Sequence, residues 1–350
     1  MSADDELDPR ENGFHPRFQT RLIGHESAED HLLTAYRTGK LHHAWMFTGP
    51  QGIGKATLAY RFAKFLFANP DPSSPTVDSA TDLSIDSDNI SAKRVMARGH
   101  SDLLVLQREL NPKTKKLRPQ ISVDDARKTG NFFAKTAGEG GWRICIIDAA
   151  DEMNANAANA VLKILEEPPQ RCIFLVISHA PGRLLPTIRS RCLKLELNPL
   201  QDNQVKEVLS NGMLQVEVND TDLAALVTLS KGSPGRARDL ATSIGARQFL
   251  MFEKLAEHGN GFDTGALLKL TEEFSKRGAE EQFNIFAGLL SNWLGERARF
   301  AATNNNIISA NALAQCHSNF SDAIGQTNAL NLDRRQTLMI AFDDIEKALN

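Results

Sequence analysis

"FTGPQGIGKATLAYRF", residues 47–62, decides the fold. From Gly49 the pattern G-x-x-x-x-G-K runs to Gly54 and Lys55, with an apolar segment before it and an amphipathic one after it. Strand, glycine-rich turn and helix start, in that order, set backbone N–H groups around a phosphate, and the lysine adds a point charge for the β- and γ-phosphates. The pattern then breaks. A Ser or Thr whose hydroxyl holds Mg²⁺ should follow the lysine. Ala56 stands there instead, with Thr57 one place late. The candidate nucleotide contacts are Gly49, Gly52, Gly54, Lys55 and Thr57.

Outward from the loop, short apolar strands alternate with helices. "HAWMFTG" (43–49), "DLLVLQREL" (102–110), "WRICIIDAADEMN" (142–154), "CIFLVISHAP" (172–181) and the end of "LLPTIRSRCLKLELNPL" (184–200) read as strands. Helices are expected over 22–40, 55–68, 121–136 with Ser122 or Asp124 as cap, and 155–169, stopped by Pro168 and Pro169. This alternation predicts a parallel α/β sheet over 21–200. After residue 200 the strand pattern vanishes: 201–245 reads as a small helical unit and 246–350 as a larger all-helical one. Residues 1–20 read as a flexible leader. The stretch 69–91, rich in Pro, Ser and Asp, reads as a disordered or loosely ordered insertion. "NPKTKKLRPQ" (111–120) reads as a basic hairpin tip. Its Lys113, Lys115, Lys116 and Arg118 suit a solvated turn better than a DNA contact.

Bulk properties narrow the function. The chain has 350 residues, 41% hydrophobic and 24% charged, with net charge −3, so no global basic field advertises nucleic-acid binding. Its four cysteines form no C-x-x-C pair, which argues against a Cys-only zinc site and fits a reducing cytoplasm. The acidic, polar start is neither a signal nor a transit peptide, and no apolar run nears the roughly 18 residues of a membrane span.

Three further groups carry chemistry. Asp148 ends an apolar strand where P-loop ATPases place an Mg²⁺-holding Asp, although it could equally cap the helix that follows. Ala149 occupies the next place, where a water-polarising Glu is needed; Asp151 and Glu152 come later and are expected to point elsewhere. "TIRSRC" (187–192) offers Arg189 and Arg191, either surface cations or a finger aimed at a neighbour's nucleotide. In "GSPGRARDL" (232–240), Arg236 lies in the first turn of a helix, against the helix dipole, which favours an anion partner.

"LHHAWMFTGPQGIGKATLA", "ICIIDAADEMNANAANAVLKILEEPP", "TIRSRC" and "GSPGRAR", in this order and spacing, are similar to the delta-prime family of bacterial DNA polymerase III clamp-loader subunits, which are AAA+ proteins. The match covers about residues 20–245. The resemblance implies a RecA-like α/β domain, a helical lid and a C-terminal helical collar. It implies a heteropentamer in which gamma/tau subunits hydrolyse ATP, delta opens the beta sliding clamp on primed DNA, and delta-prime is a rigid stator. On it, Arg191 becomes an arginine finger in trans, Arg236 a sensor to the nucleotide, and Ser178 with His179 a second sensor. Many relatives carry a four-cysteine zinc module, but residues 69–141 here contain no cysteine, so no zinc is expected. With Ala56 and Ala149 both lacking, the chain's own ATPase is expected to be inactive, while weak or structural binding of ATP or ADP stays open. The competing readings are an ATP-hydrolysing gamma/tau-like motor, which would carry G-K-[ST] and Asp-Glu, and a nucleotide-binding regulator with no loader role.

Overall fold

The computed structural model describes residues 14–111, 113–114, 116–138, 141–213, 218–257 and 261–349. Two compact units divide the chain, Met1–Met213 with Lys231–Gly235, and Leu214–Ser230 with Arg236–Asn350. The segment 201–245, read from the sequence as a lid, is shared between them.

The first unit is built on five strands, β1 (Ala44–Thr48), β2 (Leu103–Gln107), β3 (Arg143–Asp148), β4 (Cys172–Ser178) and β5 (Leu193–Glu196). All pair in parallel, in the order β2-β3-β4-β1-β5. Its helices are α1 (Glu26–Arg37), α2 (Lys55–Ala68), α3 (Pro75–Ser79), α4 (Ile90–Met96), α5 (Val123–Phe133), α6 (Ala155–Glu166), α7 (Pro186–Arg189) and α8 (Asp202–Val208). Parallel crossovers put helices on both sheet faces, so the central strands are apolar along their middles; β1 and β4 are buried at every position. On one face Met46, Cys145, Ile147, Phe174 and Val176 meet Ala126 and Phe133 of α5 and Val161 and Leu165 of α6. On the other, α2 crosses β3 and β4 and buries Leu58, Phe62 and Phe65. This is the parallel α/β fold that the alternating pattern predicts.

The second unit is helical, with α9 (Asp220–Ser230), most of α10 (Pro234–Thr242), α11 (Ile244–Glu257), α12 (Thr264–Glu272), α13 (Glu280–Thr303), α14 (Ile307–Leu330) and α15 (Arg334–Leu349). Aromatic rings fill its core. Phe252 stacks on Phe342 with centroids 5.1 Å apart and meets the edge of Trp293 at 5.3 Å. No helix among the described residues is long and apolar enough to cross a membrane.

The structure differs from two sequence expectations. The insertion 69–91 is folded: α3 and the start of α4 lie in it, and Val77 and Leu83 are fully buried. Its Asp and Ser residues close local turns, Asp71 onto Ser73 and Asp82 onto Ser84, and Ser74 caps α3. The end of the supposed leader is packed as well. Residues 16–18 form a single 3-10 turn, and the Lys64 ammonium donates to the carbonyl of the buried Arg17. The leader's first thirteen residues lie outside the described residues. The hairpin tip holds as read, with Asn111 N–H bonding to the Lys116 carbonyl and Leu110 bridging Leu117; Lys115 lies outside the described residues.

Candidate functional site

The loop after β1 has the backbone a phosphate cradle needs. Gly49, Gly52 and Gly54 all take positive φ, at 137°, 78° and 113°. Gly54 is the N-cap of α2 in the left-handed region, so the helix opens with its N–H groups facing the turn. Gly49 has no alternative: a Cβ there would lie 2.3 Å from the Leu197 carbonyl oxygen. Below the loop, His25 is buried and its Nε2 pairs with the Ile53 carbonyl at 2.7 Å. Burial holds this imidazole below its ordinary pKa. Beside the loop, the chain entering α10 joins it: Ser233 Oγ, just before the helix, donates to the Gln51 carbonyl at 2.8 Å, and the N–H of Gly235, in its first turn, to that of Gly52 at 3.0 Å.

Lys55 is buried, and its ammonium donates to the carbonyls of Gly49, at 2.6 Å, and Pro50. Burial pushes its pKa down to about 8, against the opposing pull of the Asp148 and Asp151 charges. Ala56 presents a methyl in the first turn of α2. Thr57 follows, half-buried and rotated by about 100° around the helix, so its hydroxyl does not take the missing place.

The strand ends bring the remaining groups to the same edge of the sheet. Thr48 of β1 is in register with Ser178 of β4, and β3 ends beside β4 at Asp148. Asp148 does not cap α6; Asn154 does, accepting from the Ala157 N–H at 2.8 Å. Ala149 is buried, with a methyl where the water-polarising carboxylate would stand. Asp151 corrects the sequence reading. A 3-10 turn over Ala150–Glu152 swings it back toward β4 rather than away. There it accepts from Ser178 Oγ at 2.7 Å, from the His179 N–H and from the Ala180 N–H at 3.3 Å. His179 sits in this cluster with its pKa pushed down to about 4, by burial first and by the Lys55 charge second. Glu152 does point elsewhere, pairing with Arg108 at 2.8 Å.

Arg191 follows α7. Its Nη2 meets Glu166 Oε1 at 2.6 Å and its Nη1 donates to the Thr187 carbonyl at 2.9 Å, leaving the side chain 32% exposed. Arg189 is exposed on α7. Arg236 is exposed in the first turn of α10 and belongs to the second compact unit, whereas the loop belongs to the first. At the hairpin tip Arg118 lies 3.9 Å from both Glu109 and Asp125, so acids of the same chain offset part of its basic charge.

The structure thus collects Gly49, Gly52, Gly54, Lys55, Asp148, Ser178 and His179 at one end of the sheet. Asp151 was misread because the turn after Asp148 is 3-10 rather than α, and three residues bring the chain back. Glu166 passed without a role. The available signal was an anion in the last turn of a helix, where the dipole disfavours it and a cationic partner is to be expected.

Comparison with known proteins gives the family. The family described as "DNA polymerase III, delta subunit" matches residues 24–201, just over half of the chain. DNA polymerase III subunit delta' of Pseudomonas aeruginosa is 36% identical over 199 residues, which cover 57% of this chain and 55% of that protein. The delta' subunit of Bacillus subtilis is 32% identical over 206 residues, 57% of each. The tau/gamma subunit of Haemophilus influenzae is 29% identical over 231 residues, 65% of this chain and 30% of that one. The chain spans about half the length of the delta' relatives it matches and less of the tau/gamma one. On the match across 24–201, the chain belongs to the family described as DNA polymerase III, delta subunit, and within it is similar to delta' subunits.

Proposed function

We propose that this protein is a non-hydrolysing stator of the DNA polymerase III clamp loader. It assembles with gamma/tau and delta subunits into a heteropentamer and presents Arg191 to the nucleotide of an adjacent gamma/tau subunit during loading of the beta clamp onto primed DNA. One observation carries this reading: methyls stand at the two hydrolytic positions of its own site, Ala56 after the loop and the buried Ala149 after β3, while Arg191 stands partly exposed on an anchored guanidinium. Phosphoryl transfer depends on positioning and charge stabilisation, and loss of a single preorganised group costs about 10²–10³ in rate.

The loop itself suits a phosphate better than it suits catalysis. The N–H groups at the start of α2 and Lys55 would hold the phosphates of ATP or ADP. Lys55 must leave the Gly49 and Pro50 carbonyls to do so, which favours weak or structural binding. The donors present do not fit a catalytic Mg²⁺: Asp148 remains, but the hydroxyl does not, so no hydrolytic step is assigned here. The cytoplasm is the compartment this role requires.

The test is reconstitution. The purified chain is expected to show negligible ATP turnover, and the complex full DNA-stimulated turnover. Arg191→Ala should leave assembly intact and remove the share of turnover owed to the adjacent site, where a finger is worth about 10³–10⁵ in rate on the GTPase scale. Turnover by the isolated chain at motor rates sinks the stator reading, and an unchanged complex sinks the finger.

A further inference from the structure

The stretches "LEEPP" (165–169) and "SRC" (190–192) meet in space. Glu166 is the last residue of α6, and Arg191 follows α7, which packs against α6. Between them lies the 2.6 Å contact of Glu166 Oε1 with Arg191 Nη2. On the other arm of the guanidinium, Nη1 donates to the Thr187 carbonyl at 2.9 Å, with Ser190 Oγ at 3.5 Å.

Two anchors on two different nitrogens fix a planar group. A guanidinium carries five N–H donors. Nη1 turns to Thr187 and Ser190, and one N–H of Nη2 to Glu166. Nε–H and the other N–H of Nη2 are left over, two donors of the kind that recognise phosphate oxygens. Glu166 itself is badly placed for stability. It sits in the last turn of its helix, where the dipole disfavours an anion, and its side chain is 50% exposed, where an ion pair adds little to folding. Pro168 and Pro169 follow Glu167, the C-cap of α6, and stop the helix there, so the position of Glu166 is set by the chain itself.

We propose that Glu166 is a positioning residue for Arg191. It holds the guanidinium in the orientation from which a neighbouring subunit's polyphosphate is met, so the ordering of this long side chain is complete before the subunits engage. The proposal rests on the reading of Arg191 as a finger in trans. Without Glu166 the side chain recovers its rotamers, and ordering it again during turnover costs roughly tenfold in rate at the adjacent site.

The experiment uses the reconstituted complex and measures kcat and KM for ATP in DNA-stimulated hydrolysis. Four variants of this chain are compared: Glu166→Ala, Glu166→Gln, Glu166→Asp and Arg191→Ala, with the Glu166→Ala/Arg191→Ala double variant. Melting of the isolated chain and co-elution of the complex are followed alongside. Glu166→Ala is expected to remove most of the turnover that Arg191→Ala removes, through kcat with KM unchanged and with Tm and co-elution preserved. Gln keeps the reach and an accepting oxygen, so it should restore activity. Asp keeps the charge but falls short, so it should resemble Ala. The double variant should be no worse than Arg191→Ala alone. If Arg191→Ala is impaired while Glu166→Ala and Glu166→Asp match the wild type, or if the two losses add, the positioning role is overturned. Should Glu166→Ala fail to fold, the Gln and Asp variants decide alone, and Asp outperforming Gln rejects the proposal. If Arg191→Ala changes nothing, the finger reading itself fails, and this one with it.

Discussion

Lys55 is the residue on which the loop turns. Its ammonium is buried against two carbonyls of its own loop, and its pKa is pushed from 10.5 down to about 8. The unfolded chain therefore binds the proton more tightly than the folded one between those two values, so stability rises with pH across about pH 8 to 10.5. The wild type minus Lys55→Met difference in unfolding free energy should climb by up to about 3 kcal/mol over that window. Lys64, also pushed down to about 8, is common to both proteins and cancels. Urea unfolding at a series of pH values measures it, and a flat difference contradicts the buried charged state. The sequence announced this lysine through its spacing from Gly49 and Gly54, because a phosphate loop has few solutions in backbone torsion. It gave no sign of Asp151, whose place depends on whether the turn after β3 is 3-10 or α, a matter of a single hydrogen bond. Nor did it show that Glu166 and Arg191 touch, since that contact joins the end of one helix to the end of another 25 positions on.

At the scale of elements, strands were legible where burial is continuous and hidden where composition misleads. β1, β3 and β4 read directly because a covered parallel sheet admits only apolar residues along its centre. Residues 69–91 failed for the opposite reason. Pro, Ser and Asp are the vocabulary of disorder, but they are also that of tight turns, and a small number of buried side chains suffices to fold a segment dense in turns. Val77 is fully buried, and Arg37 reaches across to donate to the carbonyls of Val77, at 3.0 Å, and Ala80, at 2.6 Å. The guanidinium thereby satisfies the C-terminal carbonyls of α3. Val77→Asp should place an unpaired carboxylate in this contact and cost about 3 kcal/mol, opening the segment to limited proteolysis between α2 and β2. A truly loose insertion would tolerate the change without loss of Tm or protease resistance.

At the scale of the whole molecule, the helical unit leaves apolar side chains uncovered. Phe300, Ile307 and Ile308, around the turn between α13 and α14, are 73%, 58% and 85% exposed. The same unit buries Phe252, Phe286 and Phe342 completely, so it has a complete core and does not need these side chains to fold. Apolar residues exposed singly are ordinary, whereas a contiguous group of them is what an association surface would use. Whether such stripes pack a monomer or join subunits is invisible in the sequence, because both uses bury the same residues. The stator reading requires subunit contacts, and this turn is where they should be sought. Ile308→Glu is expected to leave Tm unchanged, because the side chain gives up no buried contact. It should weaken co-elution with gamma/tau and delta partners, by about tenfold or more in Kd if Ile308 is among the few residues that carry an interface. Lowered Tm would mean that Ile308 serves the fold. Unchanged Tm with unchanged assembly would free this turn from the interface and direct the search to Leu330 and Leu332, 69% and 45% exposed between α14 and α15.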